Sequence, residues 1–175
     1  MPTALERTSA RVQLTTEQTE AATQSGDPLR VAKAGLAQAR AMRSNLLVVN
    51  KLLLAQQHQV TASTAQRYEA AAEQFMESLN ELEIVCIGAQ EAWRRRSIDN
   101  GAAASAAFEG LASQSSRVAS ASGTYWSWFQ EVSSAPVVTR AKARRKSGGL
   151  APAAGVGIGL GGPFVWFGVG RRRRG

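Results

Sequence analysis

The sequence predicts an all-α fold: an elongated, antiparallel three-helix, coiled-coil-like bundle followed by a glycine-rich, basic C-terminal tail. Three observations carry the prediction. Up to Glu131 the chain is dominated by Ala, Ser, Gln and Glu, and Pro28 is the only proline after Pro2. Apolar residues recur at alternating spacings of three and four over three separate stretches, which is the period of a buried helical seam. The excess charge lies beyond Glu131, where nine cations stand without an acid; the preceding 131 residues hold twelve cations and thirteen acids.

Residues 1–27 read as a polar N-terminal segment, partly disordered or short-helical, with Thr15 to Gln24 as its helical part. No apolar run of signal-peptide length is present, so secretion is not expected. Gly26-Asp27-Pro28 then supplies a helix start: a breaker, an Asp cap and a proline at the first helical position.

The first helix is expected over about 28–61. Its a and d sites are Leu29, Ala32, Leu36, Ala39, Arg43, Leu46, Asn50, Leu53, Gln57 and Val60. Arg43, Asn50 and Gln57 are polar a sites, devices that fix register or partner number at a cost in stability. The second helix, about 64–98, carries Tyr68, Ala72, Phe75, Leu79, Leu82, Cys86, Ala89 and Trp93 in a phase displaced by one residue. The slip falls at Thr61 to Thr64, where Ser63 and Gln66 have capping-box spacing. A hairpin there is favoured over one long helix with a skip. Folded about Ala62/Ser63, it pairs Asn50 with Phe75, Leu46 with Leu79, Leu53 with Ala72 and Ala39 with Cys86, and sets Arg40 beside Glu83.

Asp99-Asn100-Gly101 marks the next turn. The third helix, about 101–133, follows with Ala104, Phe108, Leu111, Ser115, Val118, Ser122, Tyr125, Phe129 and Val132. Its small seam residues predict close packing on the first two helices, while Gly110 and Gly123 weaken it by about 1 kcal/mol each relative to alanine. Partner binding or self-association is expected through these seams.

Little in the chain suits catalysis. His58 is the only histidine and Cys86 the only cysteine. Neither a zinc site nor a nucleophile triad assembles from them. His58 falls at an outward b site beside the turn, and Cys86 in an apolar stripe that predicts a buried thiol. Glu69, Glu73 and Glu77 stack on an outward face. Arg94, Arg95 and Arg96 complement a helix C-terminus. No cofactor, metal or small-molecule substrate is expected, and the protein reads as a non-enzyme.

The tail divides into a basic linker over 135–149, an uncharged apolar segment over 150–170 and a basic terminus over 171–175. The cations are Arg140, Lys142, Arg144, Arg145, Lys146, Arg171, Arg172, Arg173 and Arg174. Between them Val156, Ile158 and Leu160 alternate with glycine, and Phe164, Val165, Trp166 and Phe167 form the most apolar stretch, suited to a membrane interface. Gly157 to Gly162 matches G-x-G-x-x-G, but Pro163 follows at once and no acidic residue comes later, so a dinucleotide site is set aside. The same glycines have the four-residue spacing that lets membrane helices approach closely. Seven glycines and two prolines in 21 residues work against a spanning helix. Membrane insertion or interfacial anchoring, a disordered or self-associating tail, and packing on another protein are the uses open to the segment.

The layout from Arg140 to Gly175 resembles that of tail-anchored proteins, in which a cytosolic helical body precedes one apolar segment flanked by basic residues. The resemblance implies a body in a reducing compartment and a tail at the mitochondrial outer membrane or peroxisomes. The expected function is a scaffold, adaptor or assembly subunit held at an anionic membrane. The alternative is a structural component of a virion or nucleoprotein particle whose arginine-rich tail meets nucleic acid by phosphate neutralisation.

Overall fold

A computed structural model describes residues 2–96 and 101–137. It contains four helices, not three, and no strand among the described residues: α1 (Ala4–Ser25), α2 (Pro28–Ala55), α3 (Ala62–Arg95) and α4 (Ala102–Ser134). Each packs on the next in sequence, α1 on α2, α2 on α3 and α3 on α4, with α4 touching α2 only lightly. Short connections make the neighbours antiparallel. The longest helix, 34 residues, extends about 50 Å at 1.5 Å per residue.

The additional helix is α1, expected only as a short polar piece within Thr15 to Gln24. Thr3 and Glu6 close a capping box at its start, Thr3 Oγ1 accepting from the Glu6 N–H at 3.2 Å and Glu6 Oε2 from the Thr3 N–H at 2.6 Å. Leu5, Thr8, Val12, Thr15, Thr19 and Ala22 follow a three-four spacing, and the last four are buried. The stripe is built largely of threonine. Most hydroxyls return to their own helix: Thr15 donates to the Arg11 and Val12 carbonyls, Thr16 to Val12, Thr19 to Thr15 and Thr23 to Thr19, all at 2.8–2.9 Å, while Thr8 also reaches Asn45 of α2. A satisfied hydroxyl leaves the threonine methyl to pack as an apolar group. Gly26, with φ 67°, ends the helix in the left-handed region.

Asp27 caps α2 as the sequence requires, Oδ1 accepting from the Leu29 N–H at 2.9 Å, with Pro28 at the first helical position. Two stripes of α2 are buried. Ala32, Ala39, Leu46 and Leu53 belong to the predicted seam; Gly35, Gln38, Ala41, Met42 and Val49 make up the second, which α1 requires. Gly35 permits the close approach of α2 and α3, since a Cβ there would meet Cys86 Sγ at 3.2 Å.

The helix ends at Ala55, six residues earlier than expected. Gln57 adopts φ 49° outside it and is exposed. His58 and Val137 form an isolated antiparallel bridge, and the Gln59 N–H donates to the Pro136 carbonyl at 2.7 Å. These backbone groups gain partners across the bundle end that a longer helix would deny them. Thr61, not Ser63, caps α3, accepting from the Thr64 N–H at 3.1 Å.

Moving the pivot to 56–61 shifts the α2–α3 pairing near the turn by about one helical turn. Asn50 meets Tyr68 rather than Phe75, and Phe75 lies with Leu46 around a cavity of about 10 Å3, room for about one water. Val12 of α1 and Trp126 of α4 complete its wall, joining the first and last helices. The Arg40–Glu83 pair forms as the register predicts, at 3.1 Å.

In α4 the seam residues Ala104, Leu111, Ser115, Val118, Ser122, Tyr125 and Val132 are buried. They pack chiefly on α3, one of the two helices predicted as their partners, and only lightly on the other, α2. Gly110 and Gly123 face open space, so neither serves a close approach.

Candidate interaction site

Two features of the described residues can act on something beyond the fold: a polar cluster inside the bundle and an apolar face outside it.

The cluster is Asn50, Tyr68 and Tyr125. Both phenols donate to Asn50 Oδ1, Tyr125 at 2.7 Å, and the two phenol oxygens are 3.4 Å apart. Tyr125 is fully buried and is the hub of the aromatic core, its ring 5.0–6.1 Å from those of Tyr68, Phe75, Trp126 and Phe129. Burial, then the hydrogen bond and charge of Tyr68, raise the Tyr125 hydroxyl far above the ordinary phenol range. Burial raises Tyr68 as well, its bond to Tyr125 offsetting part of the effect. Phenols held neutral and hydrogen-bonded to an amide are donors with no access to substrate, so the cluster fixes how α2, α3 and α4 align. Polar groups in a bundle core have this use when every partner is satisfied.

The predicted seam therefore turns inward. Leu46, Leu53, Tyr68, Phe75, Leu79, Leu82, Leu111 and Tyr125 are buried in the chain's own core. Leu29, Leu36, Phe108 and Phe129 are half-buried. Trp93 packs edge-on against Phe108 at 5.7 Å. Arg43 reaches Glu83 Oε1 and Asn80 Oδ1, at 3.1 and 3.0 Å. Of the three polar a sites, Asn50 is bonded to both α3 and α4, Arg43 is bonded to α3, and Gln57 lies outside the helix.

Exposed large aliphatic side chains stand on both α2 and α3. Leu47 and Leu54 on α2 are 58% and 70% exposed; Ile84 and Ile87 on α3 are 70% and 43% exposed. The Arg40–Glu83–Arg43 ion pairs join the two helices. These four residues occupy non-seam heptad positions, and that is the signal by which the sequence marks them. Glu69, Glu73 and Glu77 are exposed on α3, as their outward placement predicts.

His58 differs from its expected solvated placement. It is half-buried, its Nδ1–H donating to the Ala135 carbonyl at 2.9 Å, with the Gln56 side-chain amide 3.0 Å from Nε2. It ties the α2–α3 connection to the end of α4. Cys86 is fully buried, and burial, reinforced by the Glu83 charge, pushes its thiol up to about 12.

Among the described residues no group of three His, Cys, Asp or Glu side chains can hold a metal, and no helix is long and apolar enough to cross a membrane. The tail residues Val156, Ile158, Leu160, Phe164 to Phe167, Arg140 to Lys146 and Arg171 to Arg174 lie outside the described residues. Comparison with known proteins gives no match to a family model, a curated protein or a solved structure.

Proposed function

We propose that the protein is a non-enzymatic helical scaffold or assembly subunit, with a body that binds partner helices and a tail that associates with an anionic membrane. One observation carries the first half: four large aliphatic side chains, Leu47, Leu54, Ile84 and Ile87, stand exposed on α2 and α3, which meet along one helix–helix junction in a bundle whose seam is already filled. An amphipathic partner helix laid along that junction buries them by the usual i, i+3/i+4 anchoring. The second half rests on the tail's composition. Each cation near an anionic surface contributes on the order of 1 kcal/mol, and Trp166 with its aromatic neighbours suits the interface.

The test is flotation of the full-length protein with anionic liposomes, beside a version ending at Ser147, at low and high salt. Flotation of the full-length protein alone, persisting in high salt, is expected. Flotation that salt abolishes makes the tail an electrostatic element, and salt-sensitive binding to duplex nucleic acid without liposome binding replaces this reading. The nine cations unaccompanied by any acid beyond Glu131 favour that nucleoprotein alternative specifically.

A further inference from the structure

The outer face of α3 has an order along its length. At 100° per residue, Glu69, Glu73, Glu77, Asn80, Ile84, Ile87 and Glu91 fall in one stripe about 80° wide. Read from the N-terminus of α3, the stripe is first acidic and then apolar, and all seven side chains are exposed; beyond Ile87 it carries Glu91 together with the exposed Arg95, which offset one another. Leu47 and Leu54 of α2 are exposed as well. The chain leaves the described bundle at the same end: Val137 is bridged to His58 in the α2–α3 connection, and Glu131 of α4 accepts from Thr64 Oγ1 in the first turn of α3 at 3.2 Å. From that point the sequence runs in an order complementary to the acidic and apolar parts of the stripe, five cations from Arg140 to Lys146 and then the uncharged apolar stretch to Phe167.

Reach is ample. Glu69 to Glu91 is about 33 Å along the helix at 1.5 Å per residue, and an extended chain covers that distance in about ten residues.

We propose that the chain's own segment from Arg140 to Phe167 docks along this face, Arg140–Lys146 over Glu69, Glu73 and Glu77 and the apolar residues over Ile84 and Ile87. Charge supplies the direction and apolar burial the affinity. The three glutamates are solvent-exposed, so their attraction alone is weak and salt-screened. The contact needs both parts. The inference concerns the isolated protein and does not depend on membrane association. An anionic surface competes for the same cations.

The experiment is paramagnetic relaxation enhancement on full-length protein carrying a nitroxide at Ser147→Cys. Cys86 is fully buried, so the label goes to position 147. Expected is loss of amide intensity on the exposed stripe of α3 from Glu69 to Ile87, retained at low concentration and after dilution with unlabelled chain. E73K/E77K, on exposed positions that leave the core intact, restores the intensity; Ile84→Ser restores part of it. Broadening spread evenly over the four helices, or none, overturns the proposal. Broadening that dilution with unlabelled chain removes overturns it in favour of contact between copies. Liposome flotation with no broadening in free protein overturns docking alone and leaves the membrane reading standing.

Discussion

The two ends of the helix order are packed by different chemistries. Between α3 and α4 lie large apolar and aromatic groups: Phe75, Leu79, Leu82, Leu111, Val118 and Tyr125, with Trp126 and Phe129 at their edge. Between α1 and α2 lie Thr8, Thr16, Gln38 and Asn45, joined by bonds from Thr8 to Asn45 at 2.8 Å and from Gln38 to Thr16 at 3.0 Å, with Val12 and Met42 as the main apolar pair. Both interfaces are helical and antiparallel, yet they draw on different sources of stability. Burial of apolar area scales with side-chain size. A threonine face gains only its methyl contacts and pays nothing for its hydroxyls, provided that each returns to a carbonyl. The α3–α4 hairpin is thus the larger source of stability, and α1 adds to it.

The largest effect should come from breaking the aromatic side. Leu79 is fully buried, so Leu79→Asp places a carboxylate where no cation pairs with it. A loss above about 4 kcal/mol, and with it the cooperative fold, is expected. Circular dichroism showing unchanged helicity and melting would remove Leu79 from the core. Alkaline titration comes next. Cys86, raised from 9.0 to about 12, and the two raised tyrosines are protonated in the fold and lose protons more readily once unfolded. Stability from these groups is fully present below about pH 9 and falls as pH rises toward 12. Denaturant midpoints that stay level between pH 9 and 11 would contradict their burial. A smaller change follows from Tyr125→Phe, which leaves the ring contacts in place and removes one donor to Asn50. About 1 kcal/mol is expected, with the melt still cooperative.

How much of this was legible follows the same division. The seams of α2, α3 and α4 can be read from Leu46, Phe75, Leu79 and Tyr125 because bulky apolar side chains at three-four spacing have no other use in a polar chain. The Arg40–Glu83 pair follows from the antiparallel register. The stripe of α1 escapes such reading because threonine scores as polar, and its burial depends on hydrogen bonds within the helix. Thr3 and Glu6 do announce a cap in the sequence. The end of α2 is set by non-local bonds: His58 to Ala135 and Gln59 to Pro136 span more than seventy residues, and no local pattern encodes them. The outward Leu47, Leu54, Ile84 and Ile87 are visible as apolar residues off the seam, but only the fold shows that they stay exposed.

The finest test of the contrast is Thr19→Val, which exchanges a hydroxyl for a methyl of nearly the same size on a residue 2% exposed. Thr19 Oγ1 donates to the Thr15 carbonyl at 2.8 Å. That carbonyl keeps its helical bond from the Thr19 N–H, so losing the hydroxyl orphans nothing. The added methyl gains apolar burial against α2, while valine gives up a little helix propensity. These terms nearly cancel, and a change within about 0.5 kcal/mol of the parent is expected. The reverse exchange on the other side, Val118→Thr, tests the same chemistry within the apolar core. Its hydroxyl can also reach back to the carbonyl of residue 114, so the cost should stay near 1–2 kcal/mol. If Thr19→Val instead destabilises by more than Val118→Thr, the Thr19 hydroxyl acts across the interface, as Thr8 does toward Asn45, rather than within its helix. The first helix would then be held by polar recognition and not by methyl packing.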